Sequence, residues 1–124
     1  VVWVSAAAGA VGIIAGQIAR QLGAAKGIGS AGGPDKVKKL VTDFGFDYKV
    51  RPIAEQLAEA APDGIDVYVD NVGGDHLRAA IAALRDRGRI GMVGASPPTT
   101  PPSRCPTRTS SSIYLAGTPP CAAC

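Results

Sequence analysis

Three small residues near the start of this 124-residue chain, Ala7, Gly9 and Gly12, have the spacing of a turn that cradles phosphate. They lie in V-V-W-V-S-A-A-A-G-A-V-G, between an apolar run (Val1–Val4) and the helix-like stretch I-I-A-G-Q-I-A-R-Q-L-G. The pattern aligns with G-x-G-x-x-G. Its first small residue permits a sharp turn, its second lets the backbone approach a pyrophosphate, and its third lets the helix pack against the strand. Ala7 is small enough for the first place. The unpaired N–H groups at the helix start would then hold the anion. Ordinary βα turns also use small residues, so the reading leans on the turn's place after a strand and before a helix.

A second stretch discriminates between cofactors. NAD-preferring sites carry an acid about 20 residues further on, for the ribose hydroxyls. Here that region reads G-I-G-S-A-G-G-P-D-K, with small neutral residues over Gly29–Gly33 and Lys36 just beyond. An uncharged loop beside a cation favours the 2′-phosphate of NADP over NAD. Asp35 is the one acid nearby. It follows Pro34 in a first helical turn, where a carboxylate commonly complements the helix dipole. Lys36 also reads as an ordinary surface lysine.

These residues need strands and helices to position them. Val1–Ser5 reads as a short buried strand. Gly9–Leu22 has helical periodicity, with Val11, Ile14, Ile18 and Leu22 on one face. Ala25–Ser30 stands where a second strand belongs, weakened by Gly27 and Gly29. Pro34 opens a helix expected to run to about Asp43, with Val37, Leu40 and Val41 inward. Phe44–Val50 is a short third strand. Pro52 opens a helix with Ile53, Leu57 and Ala60 as its apolar stripe. Ile65–Val69 is a strong strand, and Gly73-Gly74 is a tight turn before a helix through Leu84. Asp86–Gly88 reads as a turn and Arg89–Val93 as a strand. Alternation of this kind implies an α/β fold: a Rossmann-type, doubly wound parallel sheet with right-handed crossovers, here of about five strands.

Composition sets a boundary near residue 95. All ten acidic residues lie between Asp35 and Asp86. After Ala95 come seven of the ten prolines, all three cysteines and only two charges, Arg104 and Arg108. Residues 1–95 therefore read as the folded, NADP-binding domain, and 96–124 as a disordered Pro/Ser/Thr-rich tail with little capacity for a core. A shifted reading frame near Gly94–Ser96 is one explanation of that tail. The chain's net charge of +3 makes no concentrated basic face for nucleic acid. No apolar run approaches the ~18 residues that span a bilayer. Cys121-Ala122-Ala123-Cys124 matches both C-x-x-C and a prenylation box, and each lacks its supporting context. Three thiols without a secretion signal point to the cytoplasm. His76, alone at a helix start, reads as a surface residue.

The segments V-S-A-A-A-G-A-V-G, G-S-A-G-G-P-D-K-V, A-P-D-G-I-D-V-Y-V-D-N-V-G-G and G-R-I-G-M-V-G-A follow one another in order. Together they resemble the medium-chain dehydrogenase/reductase superfamily over Val1 to about Ala95. Within it they are similar to the zinc-independent, NADPH-dependent branch of leukotriene dehydrogenase/prostaglandin reductases and alkenal/2-alkenone reductases. D-N-V-G-G is the most specific part. The resemblance implies that Gly9, Ala10, Val11 and Gly12 touch the pyrophosphate and that Lys36 faces the 2′-phosphate. It implies that Tyr48 reaches the adenosine phosphate end, that Asn71 lies near the cofactor, and that Val93, Gly94 and Ala95 open a loop passing it. From the residues alone, Tyr48 reads as a core tyrosine at a strand end and Asn71 as a cap on the following turn.

The resemblance also implies an activity. It is hydride transfer from NADPH to the C=C of an α,β-unsaturated carbonyl, or to a quinone, by a parent enzyme that can form a homodimer. Three departures set this chain apart. The catalytic domain that normally precedes the fingerprint is missing, and with it the residues that would bind an enone or quinone substrate. The family pattern has a few more residues before D-Y-K, so Tyr48 is expected to be displaced. The loop after Ala95 is replaced by P-P-T-T-P-P. The chain is therefore expected to hold NADP without reducing anything, with no catalytic residue assigned and no metal. A non-catalytic nucleotide-binding or interaction module, or an inactive pseudogene product, is the alternative.

Overall fold

Val2, Trp3 and Val4 pair on both sides, with Gly27–Gly29 on one edge and Val67–Val69 on the other. This short run is therefore the centre of the sheet. The computed structural model describes residues 1–94. Its elements are β1 (Val2–Val4), α1 (Ala10–Gln21), β2 (Gly27–Ala31), α2 (Pro34–Val37), β3 (Phe44–Asp47), α3 (Ile53–Ala60), β4 (Ile65–Asp70), α4 (Gly74–Ala83) and β5 (Leu84–Met92). The five strands are parallel, in the order β3-β2-β1-β4-β5. The chain thus winds outward from β1 in both directions, as the strand–helix alternation implied. No helix among the described residues is long and apolar enough to cross a membrane.

The two faces of the sheet are unequal. Right-handed crossovers place α1 and α2 on one side and α3 with α4 on the other. The core lies on the α3/α4 side, where Trp3, Ile28, Phe46, Leu57, Ile65 and Tyr68 are buried together. Trp3 stacks on Tyr68 with ring centroids 4.4 Å apart, a contact that adds about 0.5–1.5 kcal/mol to area burial. On the other side α1 meets the strands through small residues. Gly12 is its buried position, and a Cβ there would lie 2.6 Å from the Ala7 Cα.

That close approach decides which face of α1 meets the sheet. Its apolar face points outward, with Val11 53%, Ile14 57%, Ile18 48% and Leu22 83% exposed. Helical periodicity identified the helix, but the packing side is the one with the least bulk. The second helix is also shorter than expected. It stops at Val37, and Val41 is 49% exposed rather than inward. Thr42 and Asp43 are recruited to β2 and β3 instead: the Asp43 carboxylate accepts from the Gly27 N–H at 2.7 Å, and the Thr42 hydroxyl donates to the Phe44 carbonyl at 3.1 Å.

Strand limits shift by a few residues. The second strand runs Gly27–Ala31 and the third ends at Asp47. The expected turn at Asp86–Gly88 lies inside β5 as an irregularity. Ile65 faces Leu84 but Val67 faces Arg89, so extra residues bulge between, and Arg87 takes φ 64° to accommodate them. The tail over 96–124, with its expected disorder and shifted frame, lies outside the described residues.

Candidate functional site

The chain leaves β1 through a turn closed by backbone bonds. Gly9 N–H donates to the Ala6 carbonyl at 3.0 Å, and Ala7 N–H donates across to the Ser30 carbonyl at 3.0 Å. Ala6 adopts φ 48°, a left-handed conformation that is strained for a residue with a Cβ. The turn delivers Gly9 as the N-cap of α1, with no side-chain hydrogen bond to the helix and no acid in the first turn. Among the described residues, no side chain satisfies the first N–H groups of α1, a geometry suited to an anion. Gly9, Ala10 and Val11 are exposed there, while Gly12 is sealed against Ala7.

A second turn flanks the first at the C-terminal edge of the sheet. Asp70, at the end of β4, is completely buried. Its Oδ1 accepts from the Tyr68 hydroxyl at 2.8 Å, the Val72 N–H at 3.1 Å and the Gly73 N–H at 2.7 Å. Burial, with the Asp70 carboxylate adding to it, pushes the Tyr68 hydroxyl well above the usual tyrosine range. Gly73 and Gly74 then turn the chain at φ 75° and 57°, angles that a Cβ would strain.

Asn71 is spent on β1. Its Nδ2 donates to the Ser5 carbonyl at 2.8 Å, and its backbone N–H donates to the Ser5 Oγ at 2.9 Å. The chain returns past this point after β5. Val93 and Gly94 N–H groups donate to the Asp70 carbonyl at 2.8 and 3.1 Å. A Cβ on Gly94 would sit 2.5 Å from the Asn71 carbonyl oxygen.

The glycine loop after β2 forms the third side. Ser30, completely buried, accepts from the Trp3 indole N–H at 3.3 Å. The Tyr48 ring comes from the end of β3 and lies over Gly32, where an added Cβ would be 2.7 Å from its hydroxyl. The shortened segment before it thus still brings Tyr48 to the loop after β2. Asp47 closes the turn beside it, accepting from the Lys49 N–H at 2.9 Å. The N–H groups of Lys49 and Gly33 hold its carboxyl below the usual range. Lys36 sits exposed at the start of α2, its N–H donating to the Gly33 carbonyl at 3.2 Å.

His76 is not a surface residue. It is 4% exposed, stacked at 5.9 Å on Trp3 and met edge-on by Tyr48 at 4.9 Å. Burial lowers its pKa, against the opposing pull of Asp70 and Asp75. Among the described residues, its Nε2 and the Asp70 Oδ2 have no hydrogen-bond partner. The helix-start position suggested exposure, but α4 enters the fold with this face turned to the aromatic cluster.

Ala7, Gly9, Ala10, Val11, Gly12, Tyr48, Asn71, Val93 and Gly94 thus come together along one edge, with Lys36 at its border. Ala95 lies outside the described residues, as do Cys105, Cys121 and Cys124. Sequence reasoning gave no role to Ser5, Ser30, Asp47 or Asp70, which tie the turns to one another. Asp70 stood in the D-N-V-G-G segment; the signal of the other three was position, each being a polar residue at or next to the C-terminal end of a strand.

The family model for zinc-binding dehydrogenases matches residues 10–118. Prostaglandin reductase 1 of Mus musculus is 50% identical over 98 residues, covering 76% of this chain and 30% of that protein. The NADP-dependent oxidoreductase RED1 of Cochliobolus heterostrophus is 48% identical over 97 residues, covering 75% of this chain and 27% of that one. The crystal structure of CurA from Vibrio vulnificus in complex with NADPH superposes with a TM-score of 0.65 at 41% identity, over 72% of this chain and 27% of that one. The chain spans less than a third of the length of these curated relatives. The family's description includes zinc. Among the described residues, no three His, Cys, Asp or Glu side chains converge to hold a metal, so these residues do not fit one.

Proposed function

The chain belongs to the zinc-binding dehydrogenase family, and from that premise we propose that it is the cofactor-holding part of an NADPH-dependent oxidoreductase. One observation carries the reading: the uncapped N-terminus of α1 and the glycine loop after β2 open side by side at the C-terminal edge of the sheet. Ligands of doubly wound sheets bind at that edge, where the strand order reverses, here between β1 and β4.

The residues fit a dinucleotide. Gly9, Ala10, Val11 and Gly12 would hold the pyrophosphate on the α1 N–H groups. Gly29–Gly33, with Tyr48 and Lys36, would receive the adenosine end and its 2′-phosphate. The Asp47 carboxylate beside Tyr48 is already engaged by backbone N–H groups, so it is poorly placed to claim ribose hydroxyls as NAD sites do. Asn71, Val93 and Gly94 would line the passage toward the nicotinamide. When bound, NADPH supplies the hydride; the protein contributes orientation and electrostatics.

The proposed substrate class is an enone or a quinone; it rests on the family resemblance, and a relative named as a prostaglandin reductase supports it. The exposed stripe Val11, Ile14, Ile18 and Leu22 on α1 supports a chain that works against further protein surface. Equilibrium dialysis with NADPH, paired with an assay for alkenal and quinone reduction, tests the reading. Binding without turnover is expected. Turnover by the 124-residue chain would overturn the division of labour, and absence of binding by folded chain would overturn the cofactor.

A further inference from the structure

We infer that Lys49, rather than Lys36 alone, is the cation that sets preference for the 2′-phosphate, acting with Tyr48 as a clamp over Gly32. The inference rests on the NADPH reading above and names a residue that the family resemblance did not supply. Three observations carry it.

The first is contact. A Cβ added to Gly32 would meet three atoms within 3.0 Å: the Tyr48 hydroxyl, the Tyr48 Cζ and the Lys49 Cε. The space that a side chain at position 32 would fill is occupied by a phenol and by the end of a lysine stem. Lys49 is itself exposed, so its ammonium group reaches solvent beside the loop.

The second is fixation. The segment carrying these two residues is tied at each step. Tyr48 N–H donates to the Ala31 carbonyl at 3.2 Å, and Lys49 N–H donates to Asp47 Oδ1 at 2.9 Å. The buried Gln56 side chain donates to the carbonyls of Asp47 and Arg51, both at 2.9 Å. His76 backs the Tyr48 ring from the core side. A short segment between β3 and α3 therefore directs both side chains at Gly32, and no extra residues before Tyr48 are needed to bring them there.

The third is charge. Neither Lys49 nor Lys36 forms an ion pair among the described residues, whereas Arg20, Arg51, Arg78 and Arg85 each do. Lys49 differs in its place, since its charge helps to hold the Asp47 carboxyl below the usual range and its stem lies against Gly32. An ammonium group outside any ion pair there, next to a phenol donor and a loop without side chains, suits a phosphate monoester on a ribose. Charge-assisted contacts to phosphate are among the stronger hydrogen bonds. Lys36 lies on the exposed face of a helix of one turn, and its backbone rather than its side chain is tied to the loop.

The test uses the full chain and two small probes, adenosine 2′,5′-bisphosphate and 5′-AMP, beside NADPH and NADH. Lys49→Gln is expected to weaken the bisphosphate and NADPH by about tenfold or more, leaving 5′-AMP and NADH unchanged. Tyr48→Phe should weaken the same pair less, because it removes one neutral donor. Lys36→Gln should change the ratio of NADPH to NADH affinity less than Lys49→Gln. A circular dichroism spectrum checks that each variant is folded. If Lys49→Gln leaves that ratio at the wild-type value, or if Lys36→Gln alone abolishes it, the inference is wrong while the NADPH reading stands. If wild-type chain shows no preference for NADPH, the reading itself fails and the clamp with it.

Discussion

Asn71 and Ser5 hold each other by two hydrogen bonds, one to the Ser5 carbonyl at 2.8 Å and one to its hydroxyl at 2.9 Å. These bonds join the C-terminal ends of β1 and β4, the two strands between which the strand order reverses. The distance between the two βα turns is set here. Ser5 is completely buried, so each partner's loss leaves the other's polar group without water. Ser5→Ala removes the acceptor of the Asn71 backbone N–H, and Asn71→Ala removes the donor to the Ser5 backbone carbonyl. Each should cost about 1–3 kcal/mol, and because the bonds lost are different ones the double variant should cost close to their sum. Urea unfolding of the four proteins measures this. A double variant that costs much less than the sum would show that one bond does not form without the other.

Gly12 and Gly9 should separate folding from binding. A Cβ on Gly12 would lie 2.6 Å from the Ala7 Cα, against backbone that has nowhere to move. Gly12→Ala should therefore destabilise the chain by about 1–3 kcal/mol, as overpacking does. At Gly9 the nearest atom to an added Cβ is the Ala6 carbonyl oxygen at 3.3 Å, and the position is exposed. Gly9→Ala should fold with a near-unchanged midpoint yet bind NADPH more weakly, because the methyl group stands where pyrophosphate must approach. Thermal unfolding and titration of the same two variants check both halves.

Buried His76 should make stability depend on pH. Its folded pKa lies below the ordinary value of 6.5 because burial disfavours the charged ring. The unfolded chain therefore binds the proton more readily, and unfolding is favoured as the pH falls. The stabilisation is fully present above about pH 6.5 and is lost as the pH drops from there through the lowered folded value. His76→Phe keeps an aromatic ring against Trp3 and Tyr48 and removes the titration. Melting temperature against pH should slope downward between pH 7 and 5 in wild type and be flatter in His76→Phe. Equal slopes would assign the acid sensitivity elsewhere.

The outward stripe on α1 should be silent in the isolated chain. Ile18 is 48% and Leu22 83% exposed, so Ile18→Gln and Leu22→Gln should change stability by no more than about 0.5 kcal/mol. The double variant should show less self-association in sedimentation, because it shrinks an exposed apolar patch. A large loss of stability would mean that this face packs within the chain.

The sequence made the strand–helix order readable because each element carries its own signal. Val1–Ser5 and Ile65–Val69 are β-branched runs, and Pro34, Pro52 and Gly73-Gly74 punctuate them. The strands' direction and crossover hand followed from general rules. The glycines of the first turn were legible for the same reason, since only close approach requires Gly12. What could not be read was orientation. Periodicity in α1 shows that Val11, Ile14, Ile18 and Leu22 share a face, but not whether that face meets the sheet. The small residues Gly12 and Ala15 could have suggested the opposite side. His76 shows the same limit, since its burial depends on how α4 meets Trp3 and Tyr48 from distant parts of the chain. Asp70 and Ser5 looked like ordinary strand-end polar residues, and only the fold brings their partners within reach.

The central claim is that the turns around Gly9, Gly32 and Asn71 form a site selective for NADPH. Isothermal titration of the 124-residue chain with NADPH and then NADH tests it most directly. Saturable binding of NADPH, at least tenfold tighter than NADH and weakening as salt rises, is the expected result. A folded chain that binds neither dinucleotide, or binds both equally, would contradict it.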